Sequence, residues 1–252
     1  DDYIDLIIPR GSNTFVKFIK DNSRIPVLGH SDGICHAFVD SNADRNIAYD
    51  VCYDSKVQYP AVCNAIETLL VHADIADEFL PQMAIMYSNA GVKLCCDEQS
   101  YEIIDNLDYI KELYRATEED WRTEYNDLIL SIKVVDSIES AIDHINNYGS
   151  HHTDVIITDD NENKKLFTSL VDSSSVMINA STRFADGFRY GKGAEVGIST
   201  NKIHARGPVG MEGLVIYKYI LIGDGQKVSD YVGPESKKFT HHKLGKKYSD
   251  VL

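Results

Sequence analysis

One cysteine stands in a setting suited to nucleophilic chemistry. The five cysteines lie at positions 35, 52, 63, 95 and 96, and Cys63 falls between Pro60, which ends a predicted helix, and a predicted buried strand at 68–71. A thiol at such a junction can lie at a sheet edge, where backbone N–H groups stabilise a thiolate or a developing oxyanion. The spacing alone nevertheless favours an ordinary buried structural cysteine over a nucleophile.

The other polar motifs are less specific. Gly11 and Ser12 form a turn after a predicted strand, where backbone N–H groups can meet phosphate, although the motif alone favours a plain strand-to-helix connection. The histidine pairs 151–152 and 241–242 are adjacent in sequence, so both rings of a pair cannot share one face. We therefore expect solvated loop histidines and no metal site. No P-loop or Ser-His-Asp arrangement can be picked out.

Composition limits the function classes. The formal net charge of −14 argues against nucleic acid as a general partner, because the phosphate backbone would be repelled. No apolar run is long enough to span a membrane. An odd number of cysteines without scaffold spacing fits a reducing compartment, and we expect a cytoplasmic protein. The first residues already read as the middle of a domain, which suggests a fragment.

The elements that must position Cys63 alternate between strands and helices, which is typical of a doubly wound, mainly parallel α/β sheet. The residues 97–126 read as a polar surface excursion, and the glycine-rich stretch 180–210 reads as a functional segment. A helix at 212–217, an edge strand at 218–222 and a loose charged tail follow. The predicted strands are 4–8, 25–28, 34–39, 68–71, 128–135, 155–158 and 176–179, and the predicted helices follow positions 12, 44, 74, 137 and 160.

Four longer segments carry a family resemblance. VCNAIETLLVH around Cys63, DGICHAFVD at 32–40, NASTRFADGF at 179–188 and GAEVGISTNKIHARGPVG at 193–210 closely resemble γ-glutamyl phosphate reductase, the proline-biosynthesis member of the aldehyde dehydrogenase superfamily. The resemblance implies NADPH-dependent reduction of L-glutamyl 5-phosphate to glutamate 5-semialdehyde with release of phosphate. It also implies functional coupling to glutamate 5-kinase and a homo-oligomer.

The resemblance assigns roles around the nucleophile. Cys63 matches the cysteine that displaces phosphate and forms a thioester. Gly11 and Ser12 match the superfamily's Gly-Ser turn beside the cofactor. Glu124 aligns with the glutamate that holds the nicotinamide ribose, although the glycine and proline of that motif are absent here.

On the substrate side the resemblance leaves alternatives. Asn179, Ser181, Thr182 and Arg183 match the family's substrate-side stretch, and Arg183 could pair with the glutamate α-carboxylate. Arg206 is a competing candidate for that carboxylate. Where hydrolytic relatives carry a glutamate base, residues 29–33 read GHSDG, and His30 could contact either the leaving phosphate or the backbone.

The implied organisation has four parts. Residues 1–40 would close a Rossmann-like cofactor domain whose early strands have no counterpart here, so we expect weak NADPH binding by this chain. Residues 41–205 would form the catalytic domain, 206–230 would return to the cofactor domain and provide an oligomerisation strand, and 231–252 would form a charged tail. The alternatives are a reductase of another acyl phosphate or acyl-CoA, a non-catalytic oligomerising remnant, and a cysteine hydrolase with a histidine base near Cys63.

Overall fold

A seven-stranded, all-parallel sheet forms the centre of the chain. The computed structural model describes residues 2–30, 32–107, 109–243 and 245. The strand order is β4-β3-β5-β2-β1-β6-β7. The strands are β1 (Cys35–Val39), β2 (Ile66–His72), β3 (Lys93–Cys96), β4 (Leu113–Arg115), β5 (Ile129–Val135), β6 (Thr153–Ile157) and β7 (Ser175–Ile178).

Among the described residues there are six helices, of which the first precedes the sheet and the other five connect its strands. Short polar side chains cap most of their amino ends. Ser12, Asp44 and Asp160 each accept a backbone N–H of the following helix, which satisfies donors that the first turn leaves unpaired. The predicted cap Asp74 is wrong, because the His72 ring accepts the Asp74 N–H and the helix begins at Ala73, two residues before the predicted start. The helices are α1 (Asn13–Asn22), α2 (Arg45–Val57), α3 (Ala73–Asn89), α4 (Glu98–Asp105), α5 (Ile138–Tyr148) and α6 (Asn161–Leu170).

Alternating side chains of the central strands fill two separate cores. Leu69 and Val71 point into a cluster shared with α2, α3 and α4, whereas Leu70 packs with Phe38 in a cluster shared with α5 and α6. Burying each such side chain contributes about 1.5–3 kcal/mol. Helices on both faces of a parallel sheet confirm the predicted doubly wound architecture.

The first two predicted strands do not form a regular β-ladder. Residues 4–8 and 25–28 share only one parallel bridge, between Ile7 and Val27. Pro9 and Pro26 have no backbone N–H, so they cannot donate to a longer ladder.

The polar region 97–126 is more ordered than predicted. Asp97 caps α4 through the Ser100 N–H, and β4 pairs with β3 at the sheet edge. Strand β3 was not predicted, because four residues containing two cysteines give too short an alternation to recognise.

The carboxyl-terminal predictions hold only in part. The stretch 180–210 contains a short antiparallel pair, β8 (Gly197–Ser199) and β9 (Gly207–Val209). A single 3₁₀ turn, Met211–Leu214, replaces the predicted helix, and residues 218–222 lie outside helices and strands, with Tyr219 and Leu221 exposed.

The chain divides into two compact units, Asp1–Val215 and Ile216–Leu252. Within the second unit, the described residues form one 3₁₀ turn, Val228–Tyr231. Within the predicted tail 231–252, positions 244 and 246–252 lie outside the described residues. Ser31 in the GHSDG stretch also lies outside them. None of the helices among the described residues is long and apolar enough to cross a membrane. The boundaries at 40, 205 and 230 stay predictions.

A buried ion pair joins α2 to β2. Lys56 Nζ lies 2.6 Å from Glu67 Oε2, the two side chains are 0% and 1% exposed, and the Asn126 N–H donates to the second carboxylate oxygen at 3.2 Å. Burial raises the pKa of Glu67 to about 7 and lowers the pKa of Lys56, while their mutual attraction opposes both shifts. Each charge is therefore tolerated only because the other is present.

We predict that Lys56→Met will lower the free energy of unfolding by about 3–5 kcal/mol, because it leaves the Glu67 carboxylate buried without its partner. Urea denaturation at neutral pH measures the loss. The double variant Lys56→Met/Glu67→Leu should recover most of it, since neither charge is then stranded. A single variant as stable as the parent would contradict the interpretation.

Candidate active site

Cys63, His30 and Glu124 meet at the amino-terminal edge of the sheet, whereas the predicted site residue Asn179 follows β7 at the carboxyl-terminal edge. Cys63 lies in the loop between α2 and β2, three residues before β2 begins. Gly33 precedes β1, Glu124 precedes β5, and His152 immediately precedes β6. Strands β5, β2, β1 and β6 are consecutive neighbours in the sheet, so the segments that precede them meet at one edge.

A glycine permits the closest approach at this edge. A Cβ on Gly33 would lie 2.5 Å from the Cys63 carbonyl oxygen, 2.6 Å from Cys63 Cα and 2.6 Å from Glu124 Oε1. All three distances are shorter than ordinary van der Waals contact. Gly33, Cys63 and Glu124 therefore pack together only because position 33 has no side chain.

Two histidines lie beside Cys63. One ring nitrogen each of His30 and His152 and the Cys63 sulfur all lie within 4.8 Å of one another, and the two rings meet edge to face at a centroid distance of 4.9 Å. The prediction of solvated histidines is wrong for His152, which is 0% exposed. Its position directly before a buried strand was the signal in the sequence that could have indicated burial.

A hydrogen bond of His30 defines the tautomer of its neutral ring. His30 Nδ1 lies 3.0 Å from the Ile198 carbonyl oxygen in β8. A carbonyl oxygen can only accept, so Nδ1 carries the proton and, in the neutral ring, Nε2 keeps its lone pair. Of the two contacts predicted for His30, the structure shows the one with the backbone.

The surroundings of Cys63 disfavour its thiolate. Burial, followed by the negative charges of Glu124 and Glu195, raises the pKa of the half-buried Cys63 thiol to about 12. A backbone hydrogen bond, followed by the positive charge of Arg183, opposes this only in part. The expected help from backbone N–H groups is therefore present, but burial and the two carboxylates outweigh it.

The residues predicted to contact the cofactor gather near Cys63. Ser12 caps α1 by accepting the Phe15 N–H, and Gly11 has φ of 147°, a conformation that L side chains rarely adopt. Asn13 Nδ2 donates to Glu124 Oε2 at 3.0 Å and to Asp32 Oδ1 at 3.1 Å. Asn13 thus links the amino end of α1 to Glu124, a role that sequence reasoning missed.

The predicted substrate-side residues divide into two groups. Ser181 and Thr182 are buried and hydrogen-bond to Ser55 of α2, and Asn179 binds the backbone N–H and carbonyl of Thr158, so these side chains hold the segment in place. Arg183 is only half-buried, and its Nε donates to Gln58 at 2.9 Å in the Cys63 loop.

Arg206 has a different set of contacts. It pairs with Asp172 at 3.1 Å and donates to the Thr200 carbonyl. Among the described residues, Arg183 is the arginine whose charge acts on Cys63. A substrate contact by either arginine stays a prediction.

Known proteins resemble this chain in sequence and in structure. No family model matches the sequence. A γ-glutamyl phosphate reductase from Methanococcoides burtonii is 69% identical over 252 residues, which are 100% of this chain and 56% of the relative. The crystal structure of γ-glutamyl phosphate reductase from Thermotoga maritima is similar with a TM-score of 0.85 at 44% identity, over 90% of this chain and 53% of that one. A glyceraldehyde-3-phosphate dehydrogenase from Methanocaldococcus jannaschii, complexed with NADP, is similar with a TM-score of 0.55 at 19% identity, over 71% of this chain and 46% of that one.

The parallel sheet with helices on both faces and Cys63 at its amino-terminal edge defines an α/β chain of the aldehyde dehydrogenase-like fold class. Within that class, the chain is similar to γ-glutamyl phosphate reductases over 90% or more of its own residues. It spans about half the length of the curated relatives that it matches, 56% in the relative from Methanococcoides burtonii.

We predict that Gly33→Ala will displace the Cys63 loop and lower stability by about 1–3 kcal/mol, the usual cost of overpacking. Thermal unfolding measures the stability, and the alkylation rate of Cys63 reports the displacement. Gly29→Ala is the matched control, because its added Cβ would meet no atom closer than 3.8 Å. Equal effects of the two substitutions would contradict the close-packing argument.

We predict that alkylation of Cys63 by iodoacetamide is slow at pH 7 and rises about tenfold per pH unit up to pH 10, because only the thiolate reacts and a thiol far below its pKa gains thiolate at that rate. Glu124→Gln should speed the reaction several-fold at fixed pH by removing a negative charge. Glu139→Gln, on the exposed face of α5, is the control. A plateau near pH 9 in the parent chain would show an ordinary thiol instead.

Proposed function

We propose that the chain carries the nucleophile of an NADPH-dependent reductase that converts L-glutamyl 5-phosphate into L-glutamate 5-semialdehyde and phosphate. The observation that carries the proposal is the meeting of Cys63, His30 and Glu124 at one sheet edge, in a sequence 69% identical to a γ-glutamyl phosphate reductase. The Cys63 thiolate attacks the acyl carbon, the C–O bond to phosphate breaks, and a thioester forms.

Proton removal from Cys63 is the first task of the surrounding residues, since its thiol is protonated at neutral pH. His30 is the better acceptor, because its Nδ1 is held by the Ile198 carbonyl and its Nε2 lone pair is available. His152 is a poor base, because burial and the nearby charge of His30 lower its pKa to about 3.

Arg183 is our candidate for the substrate carboxylate. Its guanidinium is half-buried beside the Cys63 loop, and burial lowers its pKa although the group stays charged. A planar guanidinium can hold a carboxylate through two parallel hydrogen bonds. Arg206 is the weaker candidate, because Asp172 already occupies it.

The residues present fit a nicotinamide cofactor at this edge. The exposed amino end of α1, with Gly11 and Ser12, suits a phosphate, and Asn13 holds the Glu124 carboxylate beside Cys63, where a ribose hydroxyl could donate to it. When bound, the cofactor supplies the hydride that reduces the thioester to the aldehyde. We propose NADPH because a relative of the same fold class is solved with NADP.

The remaining assignments extend the same proposal. Coupling to a glutamate 5-kinase follows from the lability of an acyl phosphate, which reaches a second enzyme best when it is made nearby. Assembly into a homo-oligomer and a cytoplasmic location are proposed from the family.

We predict that the chain, incubated with glutamate, ATP and a glutamate 5-kinase, will gain one γ-glutamyl group on Cys63, detected by peptide mass spectrometry. Adding NADPH should remove the group and oxidise NADPH. Cys63→Ser should abolish the adduct, and Arg183→Gln should reduce it at limiting substrate. Cys52→Ser, a buried cysteine in α2, is the matched control.

The same assay separates the rival functions. Faster acylation by acetyl phosphate or acetyl-CoA would favour a reductase of another acyl donor. Steady phosphate release without an accumulating adduct or any use of NADPH would favour a cysteine hydrolase. A Cys63 that never acylates while the chain self-associates would favour an oligomerising remnant and overturn the proposal.

A further inference from the structure

The three side chains His30, Cys63 and His152 also form a donor set for a metal ion. One sulfur and two imidazole nitrogens, all within 4.8 Å of one another, come from three segments that precede different strands. Zn²⁺ prefers thiolate and imidazole ligands. The cluster therefore has the ligand chemistry of a zinc site, which neither the sequence motifs nor the comparisons assign.

The buried histidine gives independent support. His152 is 0% exposed, and its Nε2 has no hydrogen-bond partner. A buried polar atom without a partner is costly, and coordination to a cation would satisfy it. The other ring nitrogen, Nδ1, lies 2.9 Å from Thr153 Oγ1, and this hydrogen bond fixes the orientation of the ring.

His30 shows the same arrangement. Its Nδ1 donates to the Ile198 carbonyl, which leaves Nε2 as the lone-pair nitrogen. Histidines that bind metals usually donate their second ring N–H to a carbonyl or carboxylate, because this fixes the orientation of the ring. His30 is thus held as metal-binding histidines commonly are, and His152 Nδ1 can donate to the Thr153 hydroxyl in a similar way.

The spacing requires only a small adjustment. Zinc bond lengths in a tetrahedral site place ligand atoms about 3.3–3.6 Å apart. The donor atoms here lie within 4.8 Å of one another, so side-chain rotations that move these atoms by about 1 Å would bring them to that spacing. Three protein ligands leave a fourth position for water.

We propose that His30, Cys63 and His152 bind Zn²⁺ reversibly and that the bound ion inhibits the nucleophile. A Zn–S bond replaces the S–H bond of Cys63, the proton passes to solvent, and no electron is transferred. The sulfur lone pair that would attack an acyl group is then occupied by the metal. Inhibition rests on the proposed function, whereas binding does not.

The test measures zinc binding and thiol protection on the reduced, metal-free chain. Zn²⁺ is titrated against a chromophoric chelator, and Cys63 alkylation is followed by mass spectrometry in the same samples. We expect one zinc per chain, and about tenfold slower alkylation when free zinc is ten times the dissociation constant. Cys63→Ser and His30→Gln should each weaken binding tenfold or more, whereas His204→Gln, an exposed histidine, should not.

The variants keep the outcomes distinct. His152→Gln changes a buried residue, so thermal unfolding must first show that it folds, and His30→Gln, which is partly exposed, carries the test if it does not. Unchanged zinc affinity in His30→Gln, or no protection of Cys63, overturns the metal site. Zinc protection of a Cys63 that does not acylate supports the metal site and refutes the proposed function. Acylation that bound zinc does not slow refutes the inhibition and leaves the proposed function standing.

Discussion

The backbone contact at Gly33 determines how the site is assembled. Cys63, Glu124 and the histidines come from segments far apart in sequence, and only the order of the four strands that follow them brings these segments to one edge. At that edge the Cys63 loop lies against residue 33 at a distance that excludes any side chain. The hydrogen bonds of Asn13 to Asp32 and Glu124 then hold α1 over the same point. Cys63, the Glu124 carboxylate and the amino end of α1 therefore lie together in one tightly packed region.

Local signals predicted most of the sheet. The central strands and α6 were read from apolar runs, caps and glycines, because each of those signals acts within a few residues along the chain. Strands β3 and β4 were missed, since strands of three or four residues depend on their neighbours rather than on a pattern of their own. The failure at residues 218–222 has the same origin: a strand-like apolar sequence forms a strand only when a partner is present.

The site was predictable through motifs and not through spacing. Cys63 was chosen from its junction and its family resemblance, and the structure places Glu124 beside it. The proximity of His152 and Asn13 could not be predicted, because it results from strand order and helix placement. Backbone N–H groups were expected to favour the Cys63 thiolate, and burial and two carboxylates outweigh their effect on its pKa. Ionisation of Cys63 must therefore be coupled to ligand binding or to a proton acceptor.

The Lys56–Glu67 ion pair has a consequence for the loop that carries Cys63. The two partners are eleven positions apart and enclose the whole connection between α2 and β2, so their contact closes that connection into a ring. Ring closure removes backbone entropy before any ligand arrives. The Cys63 segment therefore has little further freedom to lose when an acyl group approaches, and the ordering that attack requires is supplied in advance by two charges that never meet the substrate.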